Sequence, residues 1–155
     1  MLLDAQESQL VLVDFQPRLQ AAMHDAAHAW GNATRLAALA QALQIPVWGT
    51  EQNPSKLGVL DENMRQYCQR VLAKMQFSAG DEGVGEWLKP EPAATPRGNA
   101  RSLPRHLQKP QPAAPSRQSI VIAGVEAHVC VLQTALDLLE DEFDVWGVTD
   151  ACTSR

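Results

Sequence analysis

The chain has 155 residues, a formal net charge of −5 and a pI near 5.3, so it can form one domain with a sizeable core and is too acidic for a nucleic-acid footprint. Its apolar runs are too short to span a membrane, and the acidic start MLLDAQESQ does not resemble a signal peptide. Three cysteines without a CxxC spacing favour a reducing cytoplasm over a disulfide framework.

The first predicted strand is SQLVLVDF, residues 8–15, whose continuous apolar run is typical of a strand buried on both faces of a parallel sheet. Asp14 stands at its C-terminal end, where α/β folds place their ligands. The structural alternative is a turn or N-cap aspartate. Because Phe15-Gln16-Pro17 predicts a chain that stays extended instead of opening a helix, Asp14 is a candidate functional carboxylate.

A helix is predicted for residues 26–44, interrupted near Gly31, with one apolar stripe made of Trp30, Leu36, Leu39, Ala40 and Leu43. His24 and His28 are four residues apart, a spacing that two metal ligands on a helix could use. No third ligand accompanies them in the manner of an HExxH motif. We therefore interpret both as solvent or interface histidines.

The second predicted strand covers residues 45–50, with Pro46 near its start, and a turn-rich loop and a short helix at residues 61–69 follow it. Lys74 lies beyond them, after an apolar pair in the segment VLAKMQFSA. Most lysines lie at the solvated surface, so the local sequence alone does not distinguish Lys74 from a surface lysine.

The composition changes between residues 80 and 116, where seven of the ten prolines fall. Such a stretch cannot sustain a long helix or a central strand. We predict an insertion at about 80–116 that covers a face, meets a partner subunit or is partly disordered, with a short helix remaining at residues 85–88.

The segment at residues 119–139 has the pattern of a buried strand, a break at Gly124 and a helix that begins at Cys130. Unpaired N–H groups and the helix dipole at a helix start lower a thiol pKa, so Cys130 is a candidate reactive thiolate. A buried structural cysteine is the alternative. A last strand is predicted to end at Asp150, and the alternation of strands and helices indicates an α/β fold with a mostly parallel sheet.

Four segments together resemble the isochorismatase-like cysteine hydrolases: VLVDFQPRL, KMQFS, GVEAHVCVLQTALDLL and DACTSR. A fifth segment, TEQNPSKLG, resembles the metal-free branch of that family. The resemblance implies a single three-layer, Rossmann-like α/β/α domain over residues 1–155. It implies Asp14 as general base, Lys74 as the residue that completes a triad, and Cys130 as nucleophile. Family members continue with one more helix and strand after the DACTSR segment, so this chain is either truncated or lacks that unit.

Further site features follow from the same resemblance. Gln16 corresponds to a substrate-pocket residue, the backbone N–H groups of Glu126 and Cys130 to an oxyanion hole, and the bond between Val125 and Glu126 to a cis peptide. Metal-dependent nicotinamidases of the family carry an aspartate and several histidines after the second strand. No histidine occurs here between His28 and His106, so we predict no metal ligand and no cofactor.

The sequence therefore predicts a cytoplasmic hydrolase that cleaves an amide or carbamoyl C–N bond of a small molecule through a cysteine thioester. A homo-oligomer, dimeric or larger, is the expected assembly, with no nucleic-acid or membrane partner. Two alternatives stay open. One is an isochorismatase-type vinyl ether hydrolase, which Cys130 disfavours, and the other is a non-catalytic scaffold or binding protein of the same fold.

Overall fold

The computed structural model describes residues 2–90 and 116–155, which form a five-stranded sheet with every strand pair parallel. The α/β fold class is confirmed. The strands are β1 (Ser8–Val13), β2 (Val47–Gln52), β3 (Arg70–Lys74), β4 (Ser119–Val125) and β5 (Asp144–Thr153). The helices are α1 (Pro17–Gln20), α2 (Ala26–Ala42), α3 (Pro54–Leu57), α4 (Glu62–Arg65), α5 (Val84–Leu88), a π-helical turn (Ala127–Val131) and α6 (Leu132–Glu140).

β1, at the centre of the sheet, is buried along its whole length because both faces of the sheet are covered. Leu10 and Leu12 face a core cluster that includes the buried side of α2. Val11 and Val13 face a second cluster, to which α5 and α6 contribute. Because alternate side chains of β1 pack against helices on opposite faces of the sheet, the domain has the predicted three layers. Residues 91–115, most of the predicted insertion, lie outside the described residues, and helix α5 occupies the position of the short helix predicted before them.

The strand order β3-β2-β1-β4-β5 determines where a ligand site can form. The chain runs outward from β1 to β3 on one side of the sheet and then returns to build β4 and β5 on the other side. Neighbouring parallel strands whose connections leave in opposite directions open a crevice beyond their carboxyl ends. In this sheet that crevice lies at the ends of β1 and β4.

The predicted boundaries around β1 and α2 were wrong in detail. β1 ends at Val13 because Asp14 adopts a left-handed conformation with φ of 53°. The chain then does open a helix, because Pro17 occupies the first position of α1, where its missing N–H is tolerated. Helix α2 runs without interruption, and its buried face consists of Ala29, Trp30, Ala33, Ala37 and Ala40. Leu39 and Leu43, predicted as part of the buried stripe, lie off this face and are about half exposed.

Three further predictions around β4 and β5 are corrected by the structure. Gly124 does not break β4 but continues it, at a point where β1 passes so closely that a Cβ would meet the Val13 carbonyl oxygen at 2.4 Å. Cys130 lies in the π-helical turn and not in the first turn of an α-helix. Asp150 does not end β5, which continues to Thr153 because Cys152 and Thr153 pair with Gly124 and Val125 after an irregularity in register.

Candidate active site

A cavity of about 330 Å³ opens at the crevice between the ends of β1 and β4. Asp14 enters it from the first residue after β1, and Cys130 enters it from the π-helical turn that follows β4. The two strands are direct neighbours in the sheet, with Val13 paired to Gly124. The fold itself therefore brings these two side chains, 116 residues apart in sequence, into one wall.

Asp14 is fully buried, and its carboxylate contacts two polar side chains. The Lys74 Nζ lies 2.8 Å from its Oδ2, and the Thr50 hydroxyl donates to its Oδ1 at 2.7 Å. The backbone N–H of Asp14 donates back to the same hydroxyl at 3.2 Å. A carboxylate without polar partners is costly to bury, and the lysine and threonine are such partners here.

The Lys74 side chain is fully buried, so Lys74 is not a solvated surface lysine. It ends β3, and Gln52 is its register partner at the end of the intervening strand β2. Besides Asp14, its ammonium group donates to the Gln52 Oε1 at 2.6 Å and to the Phe77 carbonyl at 2.9 Å. The long lysine stem thus passes across the end of β2 and delivers a positive charge to the carboxylate behind the cavity wall.

Cys130 is buried, and it lines the same cavity as the Asp14 carboxylate. Burial, reinforced by the negative charge of Asp14, raises the pKa of the thiol to about 11. The charge of Lys74 and a hydrogen bond from the Glu126 backbone act in the opposite direction but are smaller. The expectation of a lowered thiol pKa was therefore wrong, because burial beside the Asp14 carboxylate outweighs the effect of a helix start.

Glu126 and Arg155 stand at the mouth of the cavity. The Val125–Glu126 peptide bond is cis, as the resemblance implied. The Arg155 Nη2 donates to the Glu126 Oε1 at 2.8 Å, and its Nε lies 3.2 and 3.3 Å from the two carboxylate oxygens. This hydrogen bonding lowers the pKa of Glu126. The residues after β5 are thereby joined to the turn that carries Cys130, and a second link runs from the His128 Nδ1 to the Ser154 hydroxyl at 2.8 Å.

Gln16, predicted on the cavity wall, lies behind it. The side chain is fully buried, accepts a hydrogen bond from the Gln52 backbone N–H and donates to the Gln52 and Gly58 carbonyls. It does not line the cavity. Its contacts instead fix the end of β2, and with it the Gln52 side chain that both lines the cavity and accepts from Lys74.

Sequence reasoning missed Thr50, Gln52 and Arg155. Thr50 and Gln52 are polar residues at the C-terminal end of β2, the strand beside Asp14. Because α/β folds bind ligands at the carboxyl ends of their strands, that position could have identified both as site residues. Their side chains reach Asp14 and Lys74 directly. Arg155 belongs to a recognised segment, DACTSR, but no pattern in the sequence indicates that its partner is Glu126.

Residues 2–90 and 116–155 contain no group of three His, Cys, Asp or Glu side chains placed to hold a metal ion. His28 instead contacts Asp25 and Asn32 at the end of α2 that is nearest β5. No helix in these two ranges is both long and apolar enough to cross a membrane.

Comparison with known proteins gives one consistent result. Residues 8–155 match the Isochorismatase domain. The chain is 31% identical over 153 residues to isochorismatase domain-containing protein 2 of Xenopus laevis, an alignment covering 99% of this chain and 63% of that protein. It spans between 47% and 63% of the length of the curated relatives it matches.

Two solved structures share the fold. The MAR1 ribonuclease from Caenorhabditis elegans superposes with a TM-score of 0.77 at 25% identity, covering 99% of this chain and 68% of that one. The YcaC gene product from Escherichia coli, an octameric hydrolase of unknown specificity, superposes with a TM-score of 0.77 at 24% identity, covering 98% of this chain and 66% of that one. The arrangement of five parallel strands with helices on both faces is thus one that solved proteins adopt.

Proposed function

This chain belongs to the isochorismatase family and has its hydrolase fold, and from that premise we propose that it cleaves an amide or carbamoyl C–N bond of a small molecule through a thioester on Cys130. One observation carries the proposal. A buried Lys74–Asp14 ion pair lies against a cysteine thiol at the wall of a cavity large enough for a small substrate. A nucleophile next to a base that a third group holds in place is the arrangement that nucleophilic catalysis requires.

The first half of the reaction forms the thioester. Asp14 takes the thiol proton as the Cys130 sulfur attacks the substrate carbonyl carbon, and the Lys74 ammonium offsets the negative charge that moves onto the sulfur. Backbone N–H groups of Glu126 and Cys130 stabilise the developing oxyanion. Asp14 then gives its proton to the leaving nitrogen, the C–N bond breaks, and an amine or ammonia departs.

The second half returns the enzyme to its starting state. Asp14, again a carboxylate, takes a proton from water as the water oxygen attacks the thioester carbonyl. The C–S bond breaks, the acid product leaves, and the proton held by Asp14 goes back to the cysteine sulfur. The raised thiol pKa favours this last step, because a thiolate of pKa near 11 is readily reprotonated.

The experiment is a screen of small amides and carbamoyl compounds that measures release of ammonia or amine. The wild type is compared with Cys130→Ala, Asp14→Asn and Lys74→Met, and Cys68→Ala serves as the matched control because its thiol lies away from the cavity. We expect no turnover from Cys130→Ala, losses of roughly 10²- to 10⁴-fold from Asp14→Asn and full activity from Cys68→Ala. Turnover of a vinyl ether and of no amide would assign the reaction to the other chemistry of the family.

We propose further that the chain self-associates. Leu132, Leu136 and Leu139 lie at helical spacing on α6 and are each about half exposed. A row of exposed leucines on one helix is typical of a surface that a partner covers. Light scattering at micromolar concentration should give a mass of at least twice 16.9 kDa, and a monomeric mass would contradict this.

A further inference from the structure

The charges around the cavity come in pairs. Of the described residues that line it, three are charged: Asp14, Glu126 and Arg155. Asp14 is paired with Lys74 behind the wall. Glu126 is paired with Arg155 at the mouth, where the guanidinium contacts both carboxylate oxygens. The formal charges of these four side chains sum to zero.

The pair at the mouth is asymmetric in its exposure. The Arg155 side chain is 69% exposed, whereas the Glu126 side chain is 13% exposed. An incoming anion would meet the guanidinium first, yet its Nε and Nη2 already donate to Glu126. An anion that entered would lose its hydration and would have to compete with the Glu126 carboxylate for the guanidinium, which is unfavourable. Apolar side chains form much of the remaining wall, among them Leu19, Met23, Leu57, Phe77 and Val129.

We propose that Glu126 is a specificity-determining residue: it occupies Arg155 and thereby restricts the cavity to uncharged substrates with a small apolar body. The proposal rests on the proposed function for its account of substrates, namely neutral amides or carbamoyl compounds. The effect of Glu126 on charged molecules does not depend on which bond the protein cleaves. The side chain of Glu126 acts here, while its backbone N–H has the separate role assigned above.

Iodoacetamide and iodoacetate test this charge filter without any knowledge of the substrate. Both alkylate a thiolate, forming an S–CH₂ bond as iodide leaves, and they differ mainly in that one is neutral and the other an anion. The measured quantity is the ratio of the iodoacetamide rate to the iodoacetate rate at Cys130, divided by the same ratio for free cysteine. Peptide mass spectrometry assigns each adduct, because Cys68 and Cys152 are also free thiols.

The expected ratios form a cycle. The wild type should give a normalised ratio above one, and Glu126→Gln should lower it roughly three- to tenfold because a freed Arg155 attracts iodoacetate, a size reasonable for one unit charge near the thiol. Arg155→Gln should raise the ratio, since Glu126 then stands uncompensated. The double variant should return close to wild type. Glu140→Gln, which makes the same change in net charge at the end of α6, should leave the ratio unchanged.

The proposal is overturned if the normalised wild-type ratio is one or lower, or if Glu126→Gln and Glu140→Gln behave alike. Should Glu126→Gln not fold, the wild-type ratio and that of Arg155→Gln decide the matter. The two proposals fail separately. Labelling ratios as expected with no amide hydrolysed would refute the hydrolase and leave the charge filter standing. Efficient hydrolysis of a carboxylate-bearing amide such as adipic acid monoamide in preference to neutral hexanamide would refute the filter alone.

Discussion

Gly124→Ala tests whether close contact between β1 and β4 holds the candidate site together. A methyl group at this position would lie 2.4 Å from the Val13 carbonyl oxygen and 2.6 Å from the Val13 Cβ. Ordinary contact begins at 3.4 Å, so the strands would have to separate by about 1 Å. The neighbours are backbone and strand atoms that cannot rotate away, unlike the end of a flexible side chain. Asp14 and the Cys130 turn directly follow the two strands that must part.

Overpacking of this kind costs about 1–3 kcal/mol, and weakened β1–β4 hydrogen bonds add to it, so we expect a loss of about 2–4 kcal/mol in the free energy of unfolding. Activity should fall further, by about 100-fold, because a displacement of 1 Å in a reacting group is that costly. Gly147→Ala on β5 is the control for adding a methyl group to a strand, since a Cβ there meets nothing within 4 Å, whereas Gly124 combines the close contact with a φ of +157° that L side chains rarely adopt. Guanidinium unfolding followed by tryptophan fluorescence measures stability. Equal unfolding midpoints for the two variants would refute this reasoning.

Three other predictions concern the groups around the cavity. Thr50→Val should destabilise the fold by about 1–3 kcal/mol by leaving the Asp14 carboxylate and N–H each short of a partner, whereas Thr34→Val, which removes only a bond to a carbonyl of its own helix, should cost less; denaturant unfolding compares them. The 240 nm absorbance that Cys130 contributes should appear only as pH approaches 11, and Asp14→Asn should lower that midpoint because the carboxylate charge raises the thiol pKa; an unchanged or higher midpoint would contradict the electrostatics. Hydrolysis should survive EDTA, and activity restored only by added Zn²⁺ or Fe²⁺ would contradict the proposal.

The proximity of Asp14 and Cys130 could be anticipated from the sequence because both follow apolar runs that read as buried parallel strands. Strand ends of a parallel sheet share one edge. Lys74 depended on the resemblance, since a single lysine after a short apolar pair has no distinguishing pattern. Thr50 and Gln52 were missed because their roles arise from register between strands, which a single sequence does not specify.

The errors also have physical causes. Glycine within a strand pattern was interpreted as a break, whereas Gly124 is required where two backbones approach closely. Leucines were expected on the buried side of α2, but four alanines and Trp30 occupy it, because a hydrophobicity pattern does not distinguish small apolar side chains that pack from large ones that stay partly exposed. The thiol pKa was assigned from a helix start alone, and burial beside a carboxylate outweighs that effect at Cys130.

In the proposed reaction Cys130 forms a thioester, Asp14 transfers the proton and Lys74 offsets the negative charge. Intact mass spectrometry of acid-quenched turnover, with a neutral amide found in the screen, can detect that thioester. We expect an added mass equal to the acyl part of the substrate, located on the peptide that contains Cys130 and absent from Cys130→Ala. Turnover by Cys130→Ala at the wild-type rate, or an adduct on Cys68 or Cys152 instead, would contradict it.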